Sequence, residues 1–345
     1  MCNIAGYVGA KRAAPILIEM MRREEGFDAG YYTGIATIHE GKIYYRKLAG
    51  DLDDLLGETD ALALPGNIGI LHSRTPSGGP DAWSHPFVSA GKFENEPKIA
   101  YVANGYSGIF ASRDPEYNAL ADKLVDDGYE LSSAIDFPDA TYNKISNGKS
   151  VHMSDIMCAL IAKEEDGGAA PSEAMENAFC EMPGEIVGLM LSLARPDAIV
   201  WAKVNRPMFL AFAEHGAYLA TTPIAHLDDA GDPINLPEMS SGYVTASGFS
   251  AEKFKNPPAK LNLANANTIG ELYTLVSERL AEECEYKDLS FYHLFKKEGT
   301  LHAYQSALYY VLSTLYKEGK LEYRRVRIEG ATEGRHATKF LLKLK

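Results

Sequence analysis

The chain has 345 residues, of which 46% are hydrophobic and 23% are charged, as in ordinary globular proteins and unlike disordered or fibrous ones. No apolar run approaches the roughly 18 residues that cross a bilayer, which argues against a membrane protein. The formal net charge of −13 repels polyanions, so nucleic acid is not the favoured partner.

The cysteines are few and widely spaced, with no CxxC pair, so the sequence predicts neither a disulfide framework nor a zinc site. They are Cys2, Cys158, Cys180 and Cys284. His72, His85 and His152 are also too far apart in sequence for a helical or finger-like metal pair. No signal-peptide pattern of positive charge and apolar run follows Met1. We therefore expect a cytoplasmic protein without a metal or a cofactor.

Short β-rich runs dominate the larger, N-terminal part of the chain. The pattern predicts strands over residues 33–39, 68–72, 99–103, 186–193, 198–203 and 217–221. It predicts helices over residues 13–23, 115–127 and 154–163. Two groups of strands, with helices between and after them, indicate an α+β domain built in layers.

The C-terminal part has a different pattern. A proline pair at residues 257–258 breaks the chain, and we place a boundary near residue 262, which gives domains over residues 2–262 and 263–345. Helices are predicted over residues 268–286, 291–298 and 300–318, and strands over residues 321–328 and 336–344. Three helices followed by a hairpin indicate a small winged-helix-like domain. It is slightly basic, so the acidity belongs to the larger part.

Cys2 is the residue that points to chemistry. Once Met1 is removed, a cysteine in this position carries both a thiol and an α-amine, and the amine can act as the general base for its own nucleophile. In isolation, a cysteine at the start of a strand is more often a small buried hydrophobe. The motifs that follow Cys2 decide between these two interpretations.

Five motifs follow one another in the order of a known family. They are CNIAGYVG at residues 2–9, GFDAG at 26–30 with GIA at 34–36, GILHSR at 69–74, SHPFV at 84–88 and VANG at 102–105. Together they resemble the glutaminase domain of the class II glutamine amidotransferases, the domain shared by the amidotransferases of glucosamine and purine synthesis. Weaker similarity extends the match to about residue 250.

The resemblance implies a fold and a reaction. The fold is the four-layer αββα arrangement of the N-terminal nucleophile hydrolases, in the α+β class. The reaction is hydrolysis of the side-chain amide of glutamine through a thioester on Cys2, which releases ammonia. Asn104 and Gly105 correspond to the oxyanion hole, where a side-chain amide and a backbone N–H donate to the tetrahedral intermediate.

Substrate binding is also implied by the matched positions. Arg74 offers a planar guanidinium for the α-carboxylate of glutamine. Residues 75–80, with Thr75 and Ser77, form a glycine-containing loop that we expect to close over the substrate, and His85 belongs to the matched His-Pro segment. Thr75 is a departure, because the synthases that make glucosamine phosphate carry tryptophan there, which puts a closing mechanism based on that tryptophan in doubt.

The acidic residue that holds the substrate ammonium has two candidates. Asp136 reproduces the family's spacing from the end of the preceding helix. Asp155 accompanies the better-matching helix but comes two residues late, with Met153 in the expected position. The sequence leaves both candidates open.

The ammonia acceptor is not recognisable in the sequence. The C-terminal part is too short for the second catalytic domain that members of this family usually carry, so we expect an ammonia-accepting partner protein. Its many tyrosines suggest a contact with such a partner or a homo-oligomer. We expect a chain that ends near Ala264 to keep a glutaminase rate and to lose this association.

Two alternative functions stay open. One is an amide hydrolase of the same fold that acts on a substrate other than glutamine. The other is a regulatory protein that uses the glutaminase-like domain as a sensor and the winged helix to bind nucleic acid or protein. The second rests on a group of basic residues in the predicted hairpin. They are Arg324, Arg325, Arg327, Arg335 and Lys339.

Overall fold

The computed structural model of the protein describes residues 2–76, 78–92, 94–137, 142–259, 266–281, 287–288 and 305–345. The helices are α1 (Ala13–Glu24), α2 (Leu52–Glu58), α3 (Asp114–Asp126), α4 (Met153–Asp166), α5 (Pro171–Glu181), α6 (Ala266–Ala281) and α7 (Gln305–Lys317). The strands of the larger part are β1 (Asn3–Gly9), β2 (Tyr32–His39), β3 (Lys42–Leu48), β4 (Ile68–Arg74), β5 (Phe87–Ser89), β6 (Ile99–Tyr106), β7 (Asn143–Lys144), β8 (Ser150–Val151), β9 (Glu185–Ser192), β10 (Ile199–Lys203), β11 (Phe209–Ala213), β12 (Gly216–Ala220), β13 (Ile234–Asn235), β14 (Ser240–Val244) and β15 (Glu252–Lys253). The C-terminal strands are β16 (Lys287–Asp288), β17 (Leu321–Glu329) and β18 (His336–Leu344).

Two antiparallel sheets lie face to face in the larger part. The first has the strand order β13-β11-β12-β1-β4-β2-β3, and the second has the order β15-β14-β10-β9-β6-β5. Side chains alternate between the two faces of each strand, so that Ile4 of β1 points to the space between the sheets while Ala5 points outwards. Leu189 and Trp201 of the second sheet share this inner core with Ile4.

Helices cover the outer face of each sheet. Leu17 of α1 and Leu52 of α2 pack with outward-facing residues of the first sheet such as Ile35. Leu160 of α4 and Phe179 of α5 pack in the same way on the second sheet, together with residues of α3. The order helix, sheet, sheet, helix is the four-layer architecture that the family resemblance implied.

The C-terminal elements pack onto the first sheet. Val276 of α6, Leu312 of α7 and Leu342 of β18 form one buried cluster with Phe27 and Phe209 of the larger part. Strands β16, β18 and β17 form a small antiparallel sheet in that order. The predicted helix over residues 291–298, Cys284 and the boundary near residue 262 lie outside the described residues, so the winged-helix assignment and the domain limits stay predictions.

Arginines of the β17–β18 hairpin pair with acidic residues of the larger part. Arg325 contacts Glu25, and Arg327 lies 2.8 Å from Asp51. Both carboxylates are fully buried. Arg335 adds a 3.0 Å contact to Glu58. Three of the basic residues that suggested nucleic-acid binding are therefore engaged within the chain.

Main-chain hydrogen bonds also attach the hairpin to the larger part. The amide of Phe340 donates to the carbonyl of Gly26 over 3.1 Å, and the amide of Thr338 donates to the carbonyl of Gly30 over 3.0 Å. A Cβ atom on Gly30 would lie 2.2 Å from the Thr338 carbonyl oxygen, so only glycine allows this approach. The glycine-rich segment recognised in the sequence is thus the docking point of the hairpin.

None of the helices in the described part of the chain is long and apolar enough to cross a membrane.

Candidate active site

Cys2 lies where the two sheets meet. It directly precedes β1, whose neighbours in the first sheet are β12 and β4, and it is 8% exposed. Its backbone nitrogen, which becomes the α-amine when Met1 is removed, donates to Oδ1 of Asn104 over 3.0 Å. Asn104 lies near the end of β6 in the second sheet. Folding therefore brings together two residues that were predicted to act together from motifs about a hundred positions apart.

Gly105 has a backbone that requires glycine. Its φ angle is 144°, and a Cβ atom there would lie 2.1 Å from the carbonyl oxygen of Glu185 and 2.7 Å from the Cα of Ile186. The tight pairing of β6 with β9 fixes the main chain at this point, because Gly105 is opposite Ile186. With Oδ1 of Asn104 turned to Cys2, the Nδ2 donor lies on the other side of the same amide. This arrangement fits the oxyanion-hole role expected for Asn104 and Gly105.

Arg74 ends β4 and is almost completely buried. Its guanidinium stacks over the ring of Tyr32 at 3.9 Å from the ring centroid. Its Nη1 donates to the carbonyl of Trp83 over 2.8 Å, and its Nη2 donates to the carbonyl of Gly78. Its Nε has no partner among the described residues. The two loop carbonyls use two of the five N–H donors of the guanidinium.

The loop after Arg74 folds back onto Trp83. Thr75 is half-buried beside Arg74, and the predicted substrate residue Ser77 lies outside the described residues. Trp83 is fully buried, and its Nε1 donates to the carbonyl of Ser133 over 2.8 Å. A Cβ atom on Gly79 would lie 2.0 Å from the indole, so the loop contacts Trp83 closely. Trp83 links Arg74 to the segment that precedes α4, a role that its sequence context did not indicate.

Asp155 and Asp136 occupy very different environments. Asp155 is buried in the first turn of α4, and its Oδ2 accepts a 2.7 Å hydrogen bond from the amide of Ser133. Burial raises the pKa of Asp155 to about 6, although the Ser133 hydrogen bonds and the charge of Lys47 act in the opposite direction. Asp136 is exposed. Asp155 is joined to the Arg74 region through Ser133 and Trp83.

His85 belongs to a buried stack of histidines. Its ring lies 3.9 Å from the ring of His72 and 5.3 Å from that of His152, measured between centroids. Burial lowers the pKa of His85 well below 6.5, and the nearby His72, His152, Arg74 and Lys47 lower it further. His85 is therefore neutral. No group of three or more His, Cys, Asp or Glu side chains among the described residues could hold a metal ion.

Three buried polar side chains were not predicted from the sequence. Glu24, the last residue of α1, is fully buried and accepts a 3.1 Å hydrogen bond from the amide of Thr222. Arg206 is buried and donates from Nε to the carbonyl of Glu185, the same carbonyl that confines Gly105. Tyr309 of α7 is also fully buried. Glutamate is almost never fully buried unless it is paired, so the burial of Glu24 is a signal that only the structure gives.

Comparison with known proteins finds similar enzymes among the curated proteins. No family model matches the chain. A glutamine–fructose-6-phosphate aminotransferase (isomerizing) of Mesorhizobium japonicum is 29% identical over 229 residues, which cover 65% of this chain and 32% of the relative. The enzyme of the same name from Pyrococcus horikoshii is 24% identical over 344 residues, which cover 98% of this chain and 50% of the relative. The chain thus spans half or less of the length of these relatives.

Solved structures share the fold. The glutamine phosphoribosylpyrophosphate amidotransferase of B. subtilis superimposes with a TM-score of 0.59 at 14% identity, over 97% of this chain and 68% of that one. A structure described as the allosteric regulatory enzyme of purine biosynthesis gives a TM-score of 0.60 at 14% identity, over 97% and 67% of the two chains. These sequence relatives, together with the shared fold, confirm the resemblance that the motifs predicted: the chain is similar to glutamine amidotransferases of class II.

Proposed function

We propose that the protein hydrolyses the side-chain amide of glutamine through a thioester on Cys2 and releases ammonia. The observation that carries this proposal is the hydrogen bond from the Cys2 nitrogen to Asn104, next to a Gly105 that tolerates no side chain. In this proposal Cys2 supplies the nucleophile and the base, and Asn104 and Gly105 supply two oxyanion donors beside it. The names of the sequence relatives support the same chemistry.

The first half of the reaction forms the thioester. After removal of Met1, the α-amine of Cys2 takes the thiol proton, and the thiolate attacks the amide carbon of glutamine. Nδ2 of Asn104 and the N–H of Gly105 donate to the oxyanion of the tetrahedral intermediate. The intermediate collapses when the protonated amine returns its proton to the leaving nitrogen, so ammonia departs and the acyl group stays on sulfur.

We assign the orientation of the substrate to two charged residues, Arg74 and Asp155. Arg74 binds the α-carboxylate and Asp155 binds the α-ammonium, while Thr75 and Ser77 belong to the loop that covers the substrate. Asp136 is the less favoured candidate because it is exposed. His85 is neutral and buried, so we assign it to the wall behind Arg74.

The acceptor of the ammonia is proposed to be a partner protein. The relatives are named for a reaction with fructose 6-phosphate, but this chain spans half or less of their length, so their acceptor is not transferred to it. The regulatory alternative has less support, since Arg325, Arg327 and Arg335 pair with carboxylates of the larger part. Arginines that already pair with carboxylates of the same chain are less available to bind the phosphate groups of a nucleic acid.

The test is a glutaminase assay combined with labelling. We expect the purified protein to produce glutamate and ammonia from glutamine in equal amounts. A diazoketone analogue of glutamine should modify Cys2 and leave Cys158 and Cys180 unmodified, as read by mass spectrometry of peptides. Mature active protein should begin at Cys2, because a retained Met1 would block the amine that acts as base.

Two variants control the labelling experiment. Cys2→Ser should lose the activity and the label, whereas Cys180→Ser, at a half-buried cysteine far along the chain, should keep both. Full activity of protein that retains Met1, or labelling of Cys180 instead of Cys2, would contradict the assignment of the nucleophile.

A further inference from the structure

Glu25 is a buried carboxylate at which several elements meet. It directly follows α1, and its side chain has no exposed surface. Its Oε1 accepts a 2.8 Å hydrogen bond from the amide of Leu52 and a 3.4 Å one from the hydroxyl of Ser73 in β4. The hydroxyl of Thr33 in β2 lies 3.3 Å from the same oxygen. Arg325 of β17 contacts Oε2, so the C-terminal hairpin supplies a cation to this carboxylate.

The strand residues that contact Glu25 are neighbours of the residues assigned to substrate binding. Thr33 lies opposite Ser73, and Tyr32 lies opposite Arg74, in the antiparallel pairing of β2 with β4. Successive side chains of a strand point to opposite faces, so when Ser73 faces Glu25, Arg74 faces the other side. There the guanidinium of Arg74 stacks on the ring of Tyr32. The contacts of Glu25 therefore hold the two strand ends that carry this stacked pair.

Main-chain hydrogen bonds form a second connection between the hairpin and the end of β4. The amide of Thr338 donates to the carbonyl of Gly30 over 3.0 Å. The amide of Gly30 in turn donates to Oγ of Ser73 over 3.0 Å. The next amide, that of Tyr31, donates to the carbonyl of Arg74 over 3.1 Å. The hairpin is thus linked to Arg74 through a side-chain path and through a main-chain path.

We propose that the β17–β18 hairpin completes the glutamine site from outside, with Arg325 as a positioning residue that acts on Arg74 through Glu25 and Ser73. The inference rests on the proposed glutaminase function, which assigns Arg74 to the α-carboxylate of glutamine. Without Arg325, the buried carboxylate lacks its cation, and it must either take up a proton or move. Both changes weaken its hold on Ser73, and a small displacement of the neighbouring guanidinium is enough to weaken a directional contact with a carboxylate.

This role predicts a defect in substrate binding and not in chemistry. In Arg325→Gln, the KM for glutamine at pH 8 should rise about tenfold, a partial loss of one charge-assisted contact, while kcat changes less than about twofold. A contact that is equally strong in the bound substrate and in the transition state affects KM alone. Arg325→Lys retains a cation for Glu25, so its KM should stay within about threefold of the wild-type value. Initial rates of glutamate formation measure both constants.

Arg327→Gln is the matched control on the same strand. Arg327 also pairs with a fully buried carboxylate, that of Asp51, but Asp51 caps α2 by accepting a 2.9 Å hydrogen bond from the amide of Asp54. The variant should weaken the docking of the hairpin and leave the KM within about twofold of the wild-type value. A rise in KM equal to that of Arg325→Gln would show that any loosening of the hairpin has this effect, which would overturn the inference.

Ser73→Ala tests the same path without a change of charge. It should raise the KM by itself, and adding Arg325→Gln should then raise it little further, because two residues that act through one path are not additive. A folded Ser73→Ala protein with the wild-type KM, or an unchanged KM in Arg325→Gln, would overturn the inference.

A binding measurement separates this inference from the proposed function. Calorimetric titration of the Cys2→Ser protein with glutamine requires no turnover, and Arg325→Gln in that background should raise the Kd about tenfold. An unmodified protein that forms no glutamate from glutamine would refute the proposed function, and the titration would still decide whether Arg325 acts on the binding site. An unchanged Kd would overturn the inference and leave the function standing.

Discussion

The protonation state of the Asp155 carboxyl should affect the rate of glutamine hydrolysis. Its carboxyl lies in the buried start of α4, and burial raises its pKa to about 6 against the lowering effect of the Ser133 hydrogen bonds and Lys47. At pH 7 and above the group is mostly ionised and can attract an ammonium. Below pH 6 it becomes neutral, and the attraction is lost.

We therefore expect kcat/KM for glutamine to fall as the pH decreases through about 6, since this ratio reports groups of the free enzyme. Asp155→Asn should raise KM strongly at pH 8 and should remove the part of the acid limb near pH 6, leaving only the limb set by protonation of the α-amine of Cys2, which acts as the base. The measurement is a pH profile of kcat/KM from initial rates of glutamate formation.

Asp136→Asn is the control for Asp155, because it makes the same change at the exposed candidate. It should keep both the KM at pH 8 and the acid limb. If Asp136→Asn weakens glutamine relative to an analogue without the α-amine while Asp155→Asn does not, Asp136 holds the ammonium and our assignment is wrong.

Local motifs predicted the residues that belong to contiguous segments. Cys2, Arg74 and the pair Asn104 and Gly105 each stand in a short stretch with its own signature, and the fold brings Cys2 and Asn104 into contact. Tyr309 could not be predicted in this way, because its position depends on how α7 packs against Phe27. Trp83 is a similar case, because its indole N–H donates to the carbonyl of Ser133, which is distant in sequence.

At the level of elements, periodicity predicted many of the buried strands and the helices α1, α3 and α4. All six predicted strands of the larger part are present, with ends that differ by no more than three residues. The helix α5 was missed although Pro171 stands at its first position, which is a known start signal. The strand β3 was missed because it is half-exposed and mixes charged and apolar residues without strict alternation.

The β17–β18 hairpin allows a test of how the C-terminal part docks onto the larger part. Arg325 pairs with Glu25, which is fully buried and also accepts a 2.8 Å hydrogen bond from the amide of Leu52. Burial raises the pKa of Glu25 to about 7, while Arg325 lowers it. Because the folded pKa lies above the unfolded value of 4.5, the contribution of Glu25 to stability decreases as the pH rises from about 4.5 to 7.

Arg325→Gln should therefore destabilise the protein more at high pH than at low pH. At pH 8 the variant leaves a buried carboxylate without its cation, and we expect a loss of about 2–3 kcal/mol, below the usual cost of breaking a buried pair because Glu25 can take up a proton. At pH 5, where Glu25 is protonated in both proteins, the loss should be much smaller. Urea unfolding at the two pH values measures the difference.

Arg46→Gln is the matched control, since Arg46 pairs with Asp60 on the surface. An exposed pair contributes little, so this variant should lose less than about 1 kcal/mol at either pH. A loss in Arg325→Gln that is the same at pH 5 and pH 8 would show that Glu25 does not carry the effect.

At the scale of the whole molecule, the larger part and the C-terminal part share one buried cluster. Phe27, Phe209 and Ile224 pack with residues of α6, α7 and β18, and the hairpin adds main-chain hydrogen bonds. The sequence predicted an independent C-terminal module, because a composition change and a proline pair do not reveal which apolar faces meet. Shared burial instead couples the two parts energetically.

The full chain should therefore unfold in one cooperative transition. Both tryptophans, Trp83 and Trp201, lie in the larger part, so tryptophan fluorescence follows the unfolding of that part alone. Calorimetry follows the unfolding of the whole chain.

The unfolding midpoints measured by fluorescence and by calorimetry should coincide, with a calorimetric enthalpy equal to the van't Hoff enthalpy. An independent C-terminal module would give a separate peak with about a quarter of the total enthalpy, because unfolding enthalpy scales with residue number. Phe27→Ala, which removes a shared contact, should lower the single transition, whereas Phe249→Ala, at a residue 43% exposed, should leave it nearly unchanged. Two calorimetric peaks in the unmodified protein, only one of them matched by fluorescence, would show that the parts fold separately.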